Sequence, residues 1–247
     1  MQSRVMLCLM LLLVVVAVVV VDRPPAEPDS EFCLIWTRCP PMRTPDSVGP
    51  VVTDIESHLL RGHPYRDTDR ITWVHEGTHG IASRLRQQYH RPGFYVLENR
   101  AVLVTEPPTT LAAVARIVPP SLRGEVYDLY LVNAQASWNQ QPTYIFDEWV
   151  AYTNGSEARR CLGIRERTET EKYMLEMSIY ALCVPMAADS SDAQLRAFVA
   201  WHLKRVVALS GQSQALARLQ SAPDAEMLRQ FIRVYFGPAW ARQVLGV

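Results

Sequence analysis

The chain has 247 residues, with 25 basic and 25 acidic side chains in balance and 49% hydrophobic residues. That balance supplies no basic field of the kind that nucleic-acid binding needs. About 197 residues follow Pro50, enough for one domain with a sizeable hydrophobic interior, and no internal repeat divides them.

Arg4 is followed by an uncharged apolar run from Val5 to Val21, just long enough to span a bilayer. Small residues suited to a signal-peptidase cut are scarce around it, with only Ala17 and a poorly placed Ala26. Residues 1–21 are therefore read as an uncleaved signal anchor in preference to a removed signal peptide. Either way the rest of the chain is exported, membrane-anchored or secreted. Residues 22–50 hold seven prolines from Pro24 to Pro50 with little periodicity, and read as an extended stalk. Cys8 falls in the apolar run, which leaves Cys33, Cys39, Cys161 and Cys183. Four exported cysteines permit two disulfides, and the shortest loops pair Cys33 with Cys39 and Cys161 with Cys183; four buried thiols are the alternative.

Residues 51–247 are expected to form the folded domain. Asp67, Thr68 and Asp69 offer N-caps for a helix in which Ile71, Val74, Ile81, Ala82 and Leu85 recur at helical spacing as far as about Tyr89. Apolar runs at 94–97 and 101–104, separated by Glu98-Asn99-Arg100, predict a hairpin. Helices are expected near 110–117, 122–137, 168–186, 191–209 and 224–236, with Ser190, Ser191 and Asp224 as caps and Gly211 as a stop. Another opens after Pro142 and is expected to end near Asn154-Gly155. Asn154-Gly155-Ser156 also matches a glycosylation sequon, although a helix stop in left-handed backbone is the favoured reading. The fold class is mainly α with a small β hairpin or sheet (α+β).

The first of these helices carries His75-Glu76-Gly77-Thr78-His79, an HExxH segment. Positions i and i+4 stand one above the other on one helix face, so His75 and His79 can reach a single tetrahedral zinc. Glu76 lies beside them and can act as general base on a zinc-bound water. A chain of this composition would contain such a pattern by accident about once in a hundred, so a helix with incidental histidines is the competing reading. Catalytic zinc usually takes three protein ligands and keeps one position open. The extended HExxHxxGxxH solution is absent, because Ala82 and Leu85 stand where it needs Gly and His. His90 lies about 16 Å further along the axis. His58, His63 and His202 have no metal spacing. Glu148, on the helix after Pro142, is the better third ligand, with Asp147, Glu98, Glu106 and Asp128 as competitors. Tyr144 and Tyr152 flank Glu148 at i−4 and i+4, so either hydroxyl can approach a substrate oxyanion, unless both only pack. Asp147 is a candidate to receive a ligand N–H from a histidine, or else a solvated first-turn acid.

This layout resembles that of the gluzincin metallopeptidases, whose third ligand is a glutamate in an E-x-x-A or E-x-x-S pattern on a second helix, antiparallel to the HExxH helix; here that is Glu148 to Ala151. The resemblance implies a zincin-like domain in which His75, His79 and Glu148 hold zinc, Glu76 is the base, and a peptide or protein is the substrate. It covers two short segments. Thermolysin-like members place the glutamate closer to the second histidine and follow it four residues later with an aspartate, whereas this chain has Tyr152 there and 68 residues between His79 and Glu148. Lethal-factor-like members, with a longer gap and a nearby tyrosine, are similar in that respect. A zincin strand beside the cleft often aligns an extended substrate, a role the 94–104 hairpin is placed to take if it does more than pack. The expected function is zinc-dependent peptide hydrolysis. An exported zinc domain without catalysis and a zinc amidase acting on a non-protein amide are the alternatives.

Overall fold

A computed structural model describes residues 34–42, 49–60, 68–164, 169–189, 192–210 and 214–246. It is mainly helical with one three-stranded antiparallel sheet, an α+β arrangement. In chain order the elements are β1 (Ile35–Arg38), α1 (Pro50–His58), α2 (Arg70–Tyr89), β2 (Gly93–Tyr95), β3 (Arg100–Leu103), α3 (Leu111–Ile117), a 3-10 turn (Pro120–Leu122), a π-helix (Asp128–Asn133), α4 (Gln135–Trp138), α5 (Tyr144–Cys161), α6 (Glu169–Ala187), α7 (Ala193–Ser210), α8 (Gln214–Ser221), α9 (Glu226–Phe236), α10 (Pro238–Trp240) and a final π-helix (Ala241–Leu245).

The α2 helix starts where a cap is available: the Asp69 carboxylate accepts from the Ile71 and Thr72 amides at 3.1 and 3.3 Å, which satisfies two of the donors a helix start leaves open. Its partner is α5. His79 meets Asp147, the His75 ring meets Tyr152, and Ile71 meets Gly155, so the contacts run in opposite directions along the two helices and the pair is antiparallel. At Gly155 a Cβ would lie 3.0 Å from Thr170 Cγ2 and 3.5 Å from the Ile71 carbonyl oxygen, so the lack of a side chain allows this approach.

The sheet order is β1-β3-β2, with Trp36 and Phe94 both opposite Val102. Alternation divides the sheet's side chains between two cores. Phe94, Val96, Val102 and Val104 join the large core with α3, α5, α6, α7 and α9, while Tyr95, Leu97 and Ala101 join a smaller one with Val52, Ile55, Val74, Ile81 and Leu85. At Gly93 a Cβ would sit 2.7 Å from Leu85 Cβ, so glycine is what brings the β2 edge against the metal-motif helix.

Five expectations are corrected, the disulfide pairing among them. The stretch read as stalk contains β1, which pairs with β3, and Leu34 is buried in the large core. The segment at 122–137 is not one α-helix. Its amides are taken by tertiary partners, with Glu176 accepting from Glu125 and Val126 and the Tyr180 hydroxyl from Gly124; a π-helix follows, marked by the Ala134 amide donating to the Leu129 carbonyl. The α5 helix runs past Asn154-Gly155 to Cys161, and Asn154 is fully buried, so neither helix stop nor accessible sequon applies. Asp224 does not cap α9; it accepts from Ser121. Cys161 and Cys183 are free thiols, one exposed and one in the core, where burial pushes it up to about 12. Cys39 is also free and buried, and Cys33 lies outside the described residues. Asp192 caps α7, with Ser190, Ser191 and Gly211 outside the described residues. Among the described residues no helix is long and apolar enough to cross a membrane, and residues 1–21 are not among them.

Candidate metal centre

The helical period brings His75 and His79 to the α2 face that meets α5, and α5 presents Glu148 between them. His75 Nε2 and His79 Nε2 are 3.1 Å apart, and each lies 3.5 Å from Glu148 Oε2. Three donor atoms from three residues thus converge on one point, and this group can hold a metal ion. The polar atoms fit that reading. Glu148 is buried, yet its Oε2 has no hydrogen-bond partner among the described residues. A buried carboxylate oxygen left in this way is costly unless a cation meets it. Burial pushes the Glu148 carboxyl up, but the His75 and His79 imidazoles outweigh it and hold the group at about 2. Burial pushes the His79 imidazole down, and Asp147 followed by Glu148 more than reverses this and raises it well above its ordinary value.

Asp147 Oδ2 lies 3.0 Å from His79 Nδ1. With the proton on Nδ1 donated to this carboxylate, Nε2 keeps its lone pair for the metal and the ring cannot swing. Asp147→Asn should therefore weaken metal affinity by about 10–100-fold with little change in fold, as measured by competition with a chromophoric chelator. Unchanged affinity would remove Asp147 from the site.

Glu76 is half-buried, one residue along α2 from His75, and its charge contributes to raising the Tyr152 phenol. The Tyr152 ring packs 4.3 Å from the His75 ring, and its phenol is pushed up to about 12 by burial and the carboxylates Glu148 and Glu76. Tyr144 reaches Glu148 with its hydroxyl and is also raised, first by burial and then by Glu148. Both expected tyrosines therefore stand at the metal group in protonated form. Among the competing acids, Glu106 is occupied by the Thr143 amide and hydroxyl, Glu98 pairs with Arg100 on the surface, and Asp128 is exposed. His63 lies outside the described residues.

A third tyrosine is new. Tyr130 comes from the π-helix, and its hydroxyl sits 2.5 Å from that of Tyr152 while Glu148 raises its pKa along with burial. A π-turn adds a residue to the helical turn and so re-aims its side chains, a feature concentrated at functional sites. No local signal in the sequence distinguishes it from an ordinary helix.

A cleft of about 90 Å³ opens beside His79, between the α2 face and the β2 edge on one side and Trp138 and Tyr144 on the other. The ladder bonds from Val104 to Pro92 and from Val96 to Arg100 fix the register, so the Gly93 amide and carbonyl point away from β3. No family model, curated protein or solved structure matches the chain.

Proposed function

We propose that this protein is a zinc-dependent metallopeptidase with a gluzincin-like site in a zincin-like domain. The observation that carries the reading is the triangle of His75, His79 and Glu148 with sides of 3.1, 3.5 and 3.5 Å. A tetrahedral zinc with bonds of roughly 2.0–2.1 Å sets its ligand atoms roughly 3.3–3.4 Å apart. Structural zinc takes four protein ligands, whereas the group found among the described residues has three, which favours a catalytic site over a purely structural one.

Zinc, when bound, supplies Lewis acidity toward a substrate carbonyl and toward water. Glu76 takes the proton of the attacking water and returns it to the leaving amine. In this reading the Tyr152 or Tyr144 phenol, still protonated at neutral pH, turns to donate to the oxygen on which charge develops. Asp147 holds His79 in the required tautomer. The apolar run at 5–21 supports export of this domain, anchored to the membrane or released.

Elemental analysis tests the metal. Purified protein dialysed against metal-free buffer should retain about one zinc per chain, while His79→Ala and Glu148→Ala should each fall close to zero under the same treatment. Folded wild-type protein that takes up no zinc when offered it would overturn the reading.

A further inference from the structure

We propose that the cleft beside His79 selects acidic peptides, with Arg86 receiving a substrate carboxylate about three residues from the bond that is cut. This rests on the metallopeptidase reading and names the substrate class of the same site.

His79, Ala82, Ser83 and Arg86 fall at i, i+3, i+4 and i+7 on α2, and together they line the cleft. Ala82 and Ser83 are small, so the floor between the metal group and Arg86 is low. Arg86 is half-buried at the far end. Its guanidinium donates to the neutral side chain of Gln141, and no carboxylate lies within ion-pair distance of it among the described residues. A partly buried cation that has lost water without gaining an anion is poorly compensated. The C-terminal end of α2 favours a cation on its last turn, but that benefit does not require the charge to face a cleft.

The surroundings fit a peptide in an extended form. Gly93 lines the cleft with no side chain to narrow it, and Trp138, stacked parallel on Tyr144 at 5.1 Å, lines it as well. Seven residues of helix separate His79 from Arg86 by about 10.5 Å. An extended chain covers that distance in about three residues at roughly 3.3–3.4 Å each. A carboxylate side chain there meets the guanidinium with charge-assisted, two-pronged hydrogen bonds, which an amide cannot reproduce.

The test uses full-length protein and paired peptides that carry Glu or Gln at each of the four positions on either side of the cleaved bond. Binding is measured by calorimetry on the Glu76→Gln protein, so that turnover does not intervene, and kcat/KM is measured on the protein with Glu76 intact. One position about three residues from the bond should favour Glu over Gln by about tenfold in both readouts. Arg86→Gln should bring each Glu peptide and its Gln partner to the same affinity and the same kcat/KM, and Arg86→Lys should restore part of the preference. The absence of any preference for Glu, or a preference that survives Arg86→Gln, overturns the assignment. If no peptide is cut but the binding preference appears and depends on Arg86, the metallopeptidase reading fails while the acidic subsite stands. A uniform loss across all peptides in Arg86→Gln, not restored by Arg86→Lys, makes Arg86 a helix-end cation only and also overturns it.

Discussion

Glu76→Gln is expected to lower kcat on a peptide substrate by about a thousandfold while zinc stays near one per chain and KM changes little. The amide keeps the size of the side chain but cannot take a proton from water. Glu76 is not one of the three converging ligand residues, so the metal group should be untouched. A base acts on the transition state and contributes little to ground-state binding, which is why the loss belongs in kcat. The measurement is digestion of a defined peptide mixture, read by mass spectrometry beside elemental analysis of the same samples. Near-normal turnover would remove Glu76 as the base. Loss of zinc would instead make Glu76 a ligand and the three-residue group incomplete.

What could be read from the sequence was what helical and strand periods determine. The spacing of His75 and His79 and the placement of Glu148 between two tyrosines four residues away follow from the pitch of a helix, and the structure brings all of them together. The 94–104 hairpin was likewise visible as two apolar runs around a polar turn. What escaped was set by distant partners. Glu176 and Tyr180, fifty or more residues downstream, take the amides of Gly124, Glu125 and Val126 and so replace an expected helix with the turn that leads Tyr130 to the site. The strand at Ile35–Arg38 is made by its pairing with β3, in a stretch whose prolines suggested a tether. Asn154-Gly155 has the local chemistry of a stop, yet the gain from close helix packing and buried hydrogen bonds prevails over that preference.

Asn154 carries the largest stability effect expected. Its Nδ2 donates to Thr78 Oγ1 at 3.1 Å on α2 and to the Tyr95 carbonyl at 3.0 Å on β2, while its Oδ1 accepts from Arg205 at 2.8 Å on α7. A carbonyl only accepts and a guanidinium only donates, so this network fixes which way the amide points. One side chain on α5 thereby joins the other ligand helix, the sheet edge and a supporting helix, and Arg205 is itself held by Glu157. Asn154→Asp has nearly the same shape but loses both donated bonds, and it turns an acceptor toward the Tyr95 carbonyl in a fully buried position. The new attraction to Arg205 does not offset this, because Arg205 already has a carboxylate. The expected loss is about 3 kcal/mol, since each unsatisfied buried group costs about 1–3 kcal/mol. For a domain of this size that is a fall in Tm of roughly 6–12 °C, measurable by circular dichroism. Because α2 supplies His75 and His79 while α5 supplies Glu148, loosening their contact should also weaken zinc affinity in the folded protein. An Asn154→Asp protein that melts with the wild type would show that the Asn154 network does not hold the two helices together.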